Sequence, residues 1–180
     1  ADYSTDIGPV IDDPALAALT RHRARLDGFG KLIASVPLDE NLRRAGTFFA
    51  PIAYEIPALE YLQGEVFGPI LHIIRYRAED IEQVISAINK TGYGLTLGVH
   101  TRIDKFAQKI SADVNAGNVY VNRSMIGAVV GVQPFGGMGL SGTGPKAGGP
   151  HYLARFANEK VISVNTTAAG GNASLVMLDE

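Results

Sequence analysis

Cysteine is absent from the 180-residue chain. Its absence excludes disulfides, thiolate metal sites and thiol nucleophiles built from these residues. A basic excess is missing too: 16 Lys and Arg stand against 18 Asp and Glu, for a net charge of −2. That balance gives no electrostatic footprint for nucleic acid or an anionic membrane surface, so neither is expected as a partner. No apolar run approaches the roughly 20 residues that span a bilayer. The opening Ala1, Asp2, Tyr3, Ser4, Thr5, Asp6 has neither the basic nor the apolar part of a secretory signal. A cytoplasmic location is therefore expected, although a first residue other than Met leaves the true N-terminus open. The four histidines, His22, His72, His100 and His151, lie far apart without short ligand spacing, so no metal site is expected. Internal repeats and domain linkers are also lacking.

The residues that are present, 46% apolar and 19% charged, suit one globular α/β domain with a substantial core. Asp13 followed by Pro14 predicts a helix start with Asp13 as N-cap. Leu16, Leu19, Leu26, Phe29 and Ile33 are then expected inward, with Arg21, Arg23 and Arg25 on the solvated face. Polar residues over 39–47 predict a turn region. A strand follows over 48–54, demoted toward an edge or bulge by Pro51. Residues 70–76, apolar on both faces, predict a strand covered on both sides. Ile81, Val84, Ile85 and Ile88 mark a helix closed by Gly92. A strand over 95–101 comes next. Ile103, Phe106, Ala107, Ile110 and Val114 then form the inner face of a second helix, stopped near Ala116 and Gly117. Asn118, Val119, Tyr120 and Val121 form a further strand, and α/β sheets gather ligands at the carboxyl ends of their strands. The glycine-punctuated loop from Asn122 to Gly137 is thus the candidate wall of a substrate pocket. A short helix is expected around Tyr152, Leu153 and Phe156. Lys160, Val161, Ile162, Ser163, Val164 and Asn165 then alternate with period two, and such a strand must pair with a sheet edge of this chain or of another.

Several motifs occur in order over nearly the whole chain: Glu65-Val66-Phe67-Gly68-Pro69, Asn89-Lys90-Thr91-Gly92-Tyr93-Gly94-Leu95, Ala116-Gly117-Asn118-Val119-Tyr120-Val121-Asn122, and Pro134-Phe135-Gly136-Gly137 with Ser141-Gly142. In this order they resemble the C-terminal part of an aldehyde dehydrogenase. The loop 127–133 and the run 142–150 resemble one branch, the L-glutamate γ-semialdehyde (pyrroline-carboxylate) dehydrogenase domain of the bifunctional proline utilization A family. The resemblance implies a partial catalytic domain over 1–158, an oligomerisation strand over 159–167 and a flexible tail over 168–180.

The same resemblance implies NAD as cofactor, with FAD confined to a proline dehydrogenase domain that some members carry upstream. It implies that a cysteine thiolate adds to the aldehyde, that hydride passes to the nicotinamide, and that water releases the acid. In the family the nucleophile lies upstream of the matching segment, so these residues are expected to supply no catalytic group and to be inactive alone. Glu65 would accept from the nicotinamide ribose diol, and Phe67 would lie on the nicotinamide side of that site. Gly127 and Ala128 would hold the substrate carboxylate through backbone N–H groups, an arrangement that small side chains leave open. Many branch relatives carry Ser at the second position, and Ala128 removes that hydroxyl. Phe135 would stack on the aliphatic part of the semialdehyde, where its bland alternative is packing under the loop. Gly136 and Gly137 would permit close backbone approach, while Arg123, Ser124 and Lys146 are expected to be solvated. The partners so implied are a small aldehyde, the missing N-terminal part, and further copies joined through 160–165. Two other readings stand beside this one: an aldehyde dehydrogenase of another substrate class, and a non-catalytic assembly module.

Overall fold

The computed structural model describes residues 6–129 and 131–165. Its first helix, α1 (Asp13–Leu26), starts one residue earlier than the Asp-Pro pair suggests. Asp12 is the cap: its backbone is extended and its carboxylate accepts the Ala15 N–H at 2.8 Å. Asp13 already lies inside the helix, and Pro14 needs no partner in this first turn. Leu19, His22 and Leu26 are the buried face, and Arg23 and Arg25 are half-buried rather than solvated. The helix stops at Leu26, where the Phe29 and Gly30 N–H groups close on the Leu26 carbonyl. Ile33 therefore belongs to strand β1 (Lys31–Ser35), not to the helix, and is 44% exposed.

Beyond β1, the expected turn contains a short helix, α2 (Glu40–Ala45), whose first turn is held by the Asp39 carboxylate on the Asn41 N–H at 2.7 Å. Strand β2 (Ile52–Glu55) pairs antiparallel with β1 and parallel with β3 (Ile70–Ile73). It is the central strand, where Pro51 had suggested an edge. The proline stands just before the ladder, so its missing N–H costs nothing there, and its carbonyl accepts the Val36 N–H at 2.9 Å. Leu26, Ile52, Tyr54 and Ile56 pack into one core, with Phe29, Phe49, Leu62, Ile70 and Ile74 against it. The Tyr54 hydroxyl donates to the Asp27 carboxylate at its margin. Only part of β3 is covered: Leu71, expected inside a two-sided sheet, is 61% exposed.

A second core forms where the periodicity is strongest. Helix α3 (Ile81–Lys90) brings Ile81, Ile85 and Ile88 onto Val99, Ala107, Ile110 and Val114. Strand β4 (Tyr93–Gly94) follows. Strand β5 (Thr96–Val99), helix α4 (Asp104–Asp113) and strand β6 (Asn118–Val121) then make a parallel unit in which Thr96 faces Asn118 and Val99 faces Val121. The β4 strand pairs antiparallel with β7 (Met138–Gly139), which the sequence does not announce. The chain is thus α/β, but with two cores where one was expected. A single 3-10 turn occupies Leu153–Phe156. Residues 160–165 form no strand with any described edge of this chain, and Val161 and Ile162 are 91% and 73% exposed. The expected tail over 168–180 lies outside the described residues.

The histidines also converge. His22 on α1 and His72 on β3 meet at 2.9 Å between their Nε2 atoms, and Arg25 Nη2 lies 3.3 Å from His22 Nδ1. Burial depresses the basicity of both imidazoles, aided by the Arg25 charge on each and by His72 on His22. The unfolded chain therefore binds more protons than the fold as pH falls below the ordinary histidine value of 6.5, and stability is present above that value and lost below it. Thermal unfolding of the protein should show a midpoint that drops between roughly pH 7.5 and roughly pH 5.5. The drop should shrink in His72→Gln, and an identical drop in the variant would contradict the assignment.

Candidate active-site loops

Glu65 and Phe67 sit on the loop that joins a 3-10 turn (Leu59–Tyr61) to β3. This loop is pressed against α1. Gly68 has φ +152, and a Cβ there would overlap the Leu19 side chain, so only glycine lets the chain pass over this buried leucine. One turn further on, Arg25 Nη1 donates to Gln63 Oε1 at 2.8 Å. Glu65 is exposed, and its carboxylate has no hydrogen-bond or ion-pair partner among the described residues. It borders two clefts. The larger, about 550 Å³, lies between this loop and the β4–β5 segment, with Thr96, Leu97 and Ser141 on its walls. The smaller, about 270 Å³, faces Arg21, His22 and Arg25 of α1. A free, exposed carboxylate at a cleft edge fits a group that presents a diol, since both oxygens remain open to accept. Phe67 is 79% exposed, so within these residues it is not core.

The second loop leaves β6 through Asn122, which has φ +54. Its side chain acts as a substitute strand partner: Oδ1 accepts the Thr101 N–H at 2.9 Å and Nδ2 donates to the Thr101 carbonyl at 2.8 Å. The ladder ends there and the chain turns out. Gly127 has φ +78 with no atom within 4 Å of a Cβ position, so glycine is required by backbone conformation and not by crowding. Among the described residues neither the Gly127 nor the Ala128 N–H has a hydrogen-bond partner. Two neighbouring donors are thereby left open. Phe135 closes the loop: it exchanges backbone hydrogen bonds with Ala147 at 3.0 and 2.9 Å, and its residue is 38% exposed. The clefts that Glu65 borders include none of Gly127, Ala128 and Phe135, so the cofactor and substrate candidates stand on separate walls here.

Lys146, expected in solvent, is half-buried and holds the loop together. Its ammonium donates to the Gly117 carbonyl, to Asn118 Oδ1 at 3.0 Å and to the Gly136 carbonyl at 2.9 Å. Asn118 adds Nδ2 to the Pro134 carbonyl at 3.0 Å and accepts the Gly136 N–H at 3.2 Å. Gly117 belongs to the same crossing, because a Cβ there would overlap the Gly136 carbonyl oxygen. Gly137 likewise leaves room for Ser141, whose Oγ accepts the Gly94 N–H at 3.0 Å. Asn89 joins the two helices, donating to the Asp113 carbonyl and accepting the Asn115 N–H, both at 2.8 Å. These polar positions carry no periodicity, and their partners lie 10 to 47 residues away. Only their membership of the motifs could have marked them.

The fold is thus an α/β unit with an open carboxylate on one loop and open backbone donors on another. The chain belongs to the aldehyde dehydrogenase family, whose pattern matches residues 1–162. It is 50% identical over 154 residues to the bifunctional protein PutA of Rhizobium meliloti, covering 86% of this chain and 12% of that protein. A crystal structure of a Bradyrhizobium japonicum proline utilization A variant superposes with a TM-score of 0.84 at 57% identity, over 93% of this chain and 17% of that one. A Thermus 1-pyrroline-5-carboxylate dehydrogenase with bound NAD superposes with a TM-score of 0.73 at 35% identity, over 84% of this chain and 29% of that one. The chain thus spans well under a third of each of these relatives.

Among the described residues no helix is long and apolar enough to cross a membrane, and no group of three or more His, Asp and Glu is placed to hold a metal ion. Replacing Lys146 by Met keeps its bulk but takes the ammonium donor from two carbonyls and from Asn118 Oδ1, which keeps only the Gly136 N–H. Urea unfolding should show a loss of about 1–3 kcal/mol. A change below about 0.5 kcal/mol, the ordinary range for a surface site, would contradict the stapling role.

Proposed function

We propose that these residues form the substrate-anchoring and ribose-binding part of an NAD-dependent dehydrogenase that oxidises L-glutamate γ-semialdehyde to L-glutamate in proline catabolism. The observation that carries this reading is the left-handed turn at Gly127, which leaves the Gly127 and Ala128 N–H groups open side by side. Two such donors suit a carboxylate, and the sequence identity to PutA and to the Thermus enzyme supports that substrate. Ala128 contributes through its backbone alone. Phe135, fixed by its pairing with Ala147, offers a half-exposed ring to the three-carbon stem of the semialdehyde.

In this reading Glu65 accepts from the nicotinamide ribose hydroxyls, and Phe67 covers the nicotinamide side. NAD, when bound, takes up the hydride that the aldehyde carbon loses as it becomes the acid. The thiol that adds to the aldehyde comes from protein outside these residues, since they include no cysteine. The piece works joined to further aldehyde dehydrogenase sequence, in the cytoplasm, with FAD confined to a proline dehydrogenase domain where one is fused upstream. Residues 160–165, with Val161, Ile162 and Val164 exposed, pair with a second copy of the chain as an oligomerisation strand.

The substrate assignment is tested in the joined enzyme by comparing glutamate semialdehyde with an aliphatic aldehyde of like length that lacks a carboxylate. The semialdehyde should be preferred in kcat/KM by at least about 100-fold, because the competitor leaves the two anchoring N–H groups unpaired. Equal efficiency would remove the anchor and favour another aldehyde class.

A further inference from the structure

The Glu65 loop should be mobile by composition, for Gly64 has φ +134 with no atom near its Cβ position, and Gly68 follows at φ +152. Between these two swivels Glu65 has no bond of its own. What restrains it is the side chain two residues back. Arg25 Nη1 donates to Gln63 Oε1 at 2.8 Å, Arg25 Nη2 faces His22 Nδ1 at 3.3 Å, and His22 Nε2 meets His72 Nε2 at 2.9 Å. We infer that this chain, from His72 on β3 through His22 and Arg25 of α1 to Gln63, positions the loop that presents Glu65 to the cofactor, and that protonation of the histidine pair releases it.

The proton positions follow from the partners. Arginine only donates, so His22 Nδ1 must accept, which places the His22 proton on Nε2. His22 Nε2–H then donates to His72 Nε2, and the His72 proton lies on Nδ1. The chain works only while both rings are neutral. Protonated His22 offers a donor to a donor at Arg25, and protonated His72 does the same to His22. The charged groups that line the cleft with His22 are Arg21 and Arg25 on α1 and Glu65 on the loop. Beyond β3, Glu55 and Arg75 pair with each other. Burial and the nearby guanidinium oppose protonation of both rings, which keeps the chain intact at neutral pH. The contact is distinct from the apolar seat of Gly68 on Leu19, which does not titrate.

The proposal rests on Glu65 as the ribose ligand, and the joined enzyme separates the two claims. Gln63→Ala and Arg25→Ala should each raise the NAD dissociation constant about tenfold in equilibrium binding, and together no further, because they break one chain. Both should speed hydrogen exchange of the 62–66 amides before any cofactor is added, by about tenfold. KM for NAD should rise while kcat moves less than about twofold. In the wild type the NAD dissociation constant should rise from roughly pH 7.5 to roughly pH 5.5, and the rise should be lost in the His22→Gln/His72→Gln double variant. If Glu65→Ala weakens NAD binding while Gln63→Ala and Arg25→Ala do not, or if the double variant keeps the wild-type pH dependence, the positioning chain is wrong and the ribose reading stands. If Glu65→Ala leaves NAD binding unchanged, both fall.

Discussion

The buried face of α1 is the constraint on which the Glu65 loop depends. Leu19 and Leu26 are fully enclosed and His22 nearly so, which fixes the helix against β2 and β3. Once it is fixed, the loop that carries Glu65 has a floor to rest on. Gly68 seats on Leu19 and Gln63 is tied to Arg25, so a segment with two glycines in unusual conformations is held at both ends. Burial of an apolar face thereby becomes control over where one exposed carboxylate points.

The loop after β6 follows another logic, because it is held by polar contacts across long sequence separations. Lys146 and Asn118 draw four backbone groups of residues 117–136 into one crossing, and glycine at 117 makes the crossing possible. The ends of the loop are thereby rigid while the turn at Gly127 is open. That division suits a site whose frame must not move and whose donors must remain free for a ligand.

Much of this was legible in the residues. The apolar spacing of α3 and the strand Asn118–Val121 stand where periodicity puts them, and so do Phe106, Ala107, Ile110 and Val114 at α4. Ile103, expected on the inner face of α4, lies outside the helix as its N-cap and is 66% exposed. Structure and local pattern part where a local signal meets a tertiary one. Asp13 looked like the cap because it precedes proline, yet Asp12 had the extended backbone. Ile33 matched a helical spacing that Gly28 and Gly30 interrupt. Pro51 suggested an edge, but it stands outside the ladder of a central strand. Lys146 looked solvated, as single lysines usually are. The histidine pair was out of reach entirely, because residues 50 apart in sequence leave no pattern. The motifs carrying the family resemblance marked the loops as important, whereas the bonds that shape them came only from the fold.

Leu71 on β3 and Val161, Ile162 and Val164 leave apolar surface exposed among the described residues. The central claim is that Glu65, steadied from α1, meets the cofactor. A crystal structure of the joined enzyme with NAD tests it most directly. The Glu65 carboxylate should lie within hydrogen-bond distance of both hydroxyls of the nicotinamide ribose, with Gln63 still on Arg25. A ribose bound elsewhere, with Glu65 left in solvent, would contradict the account.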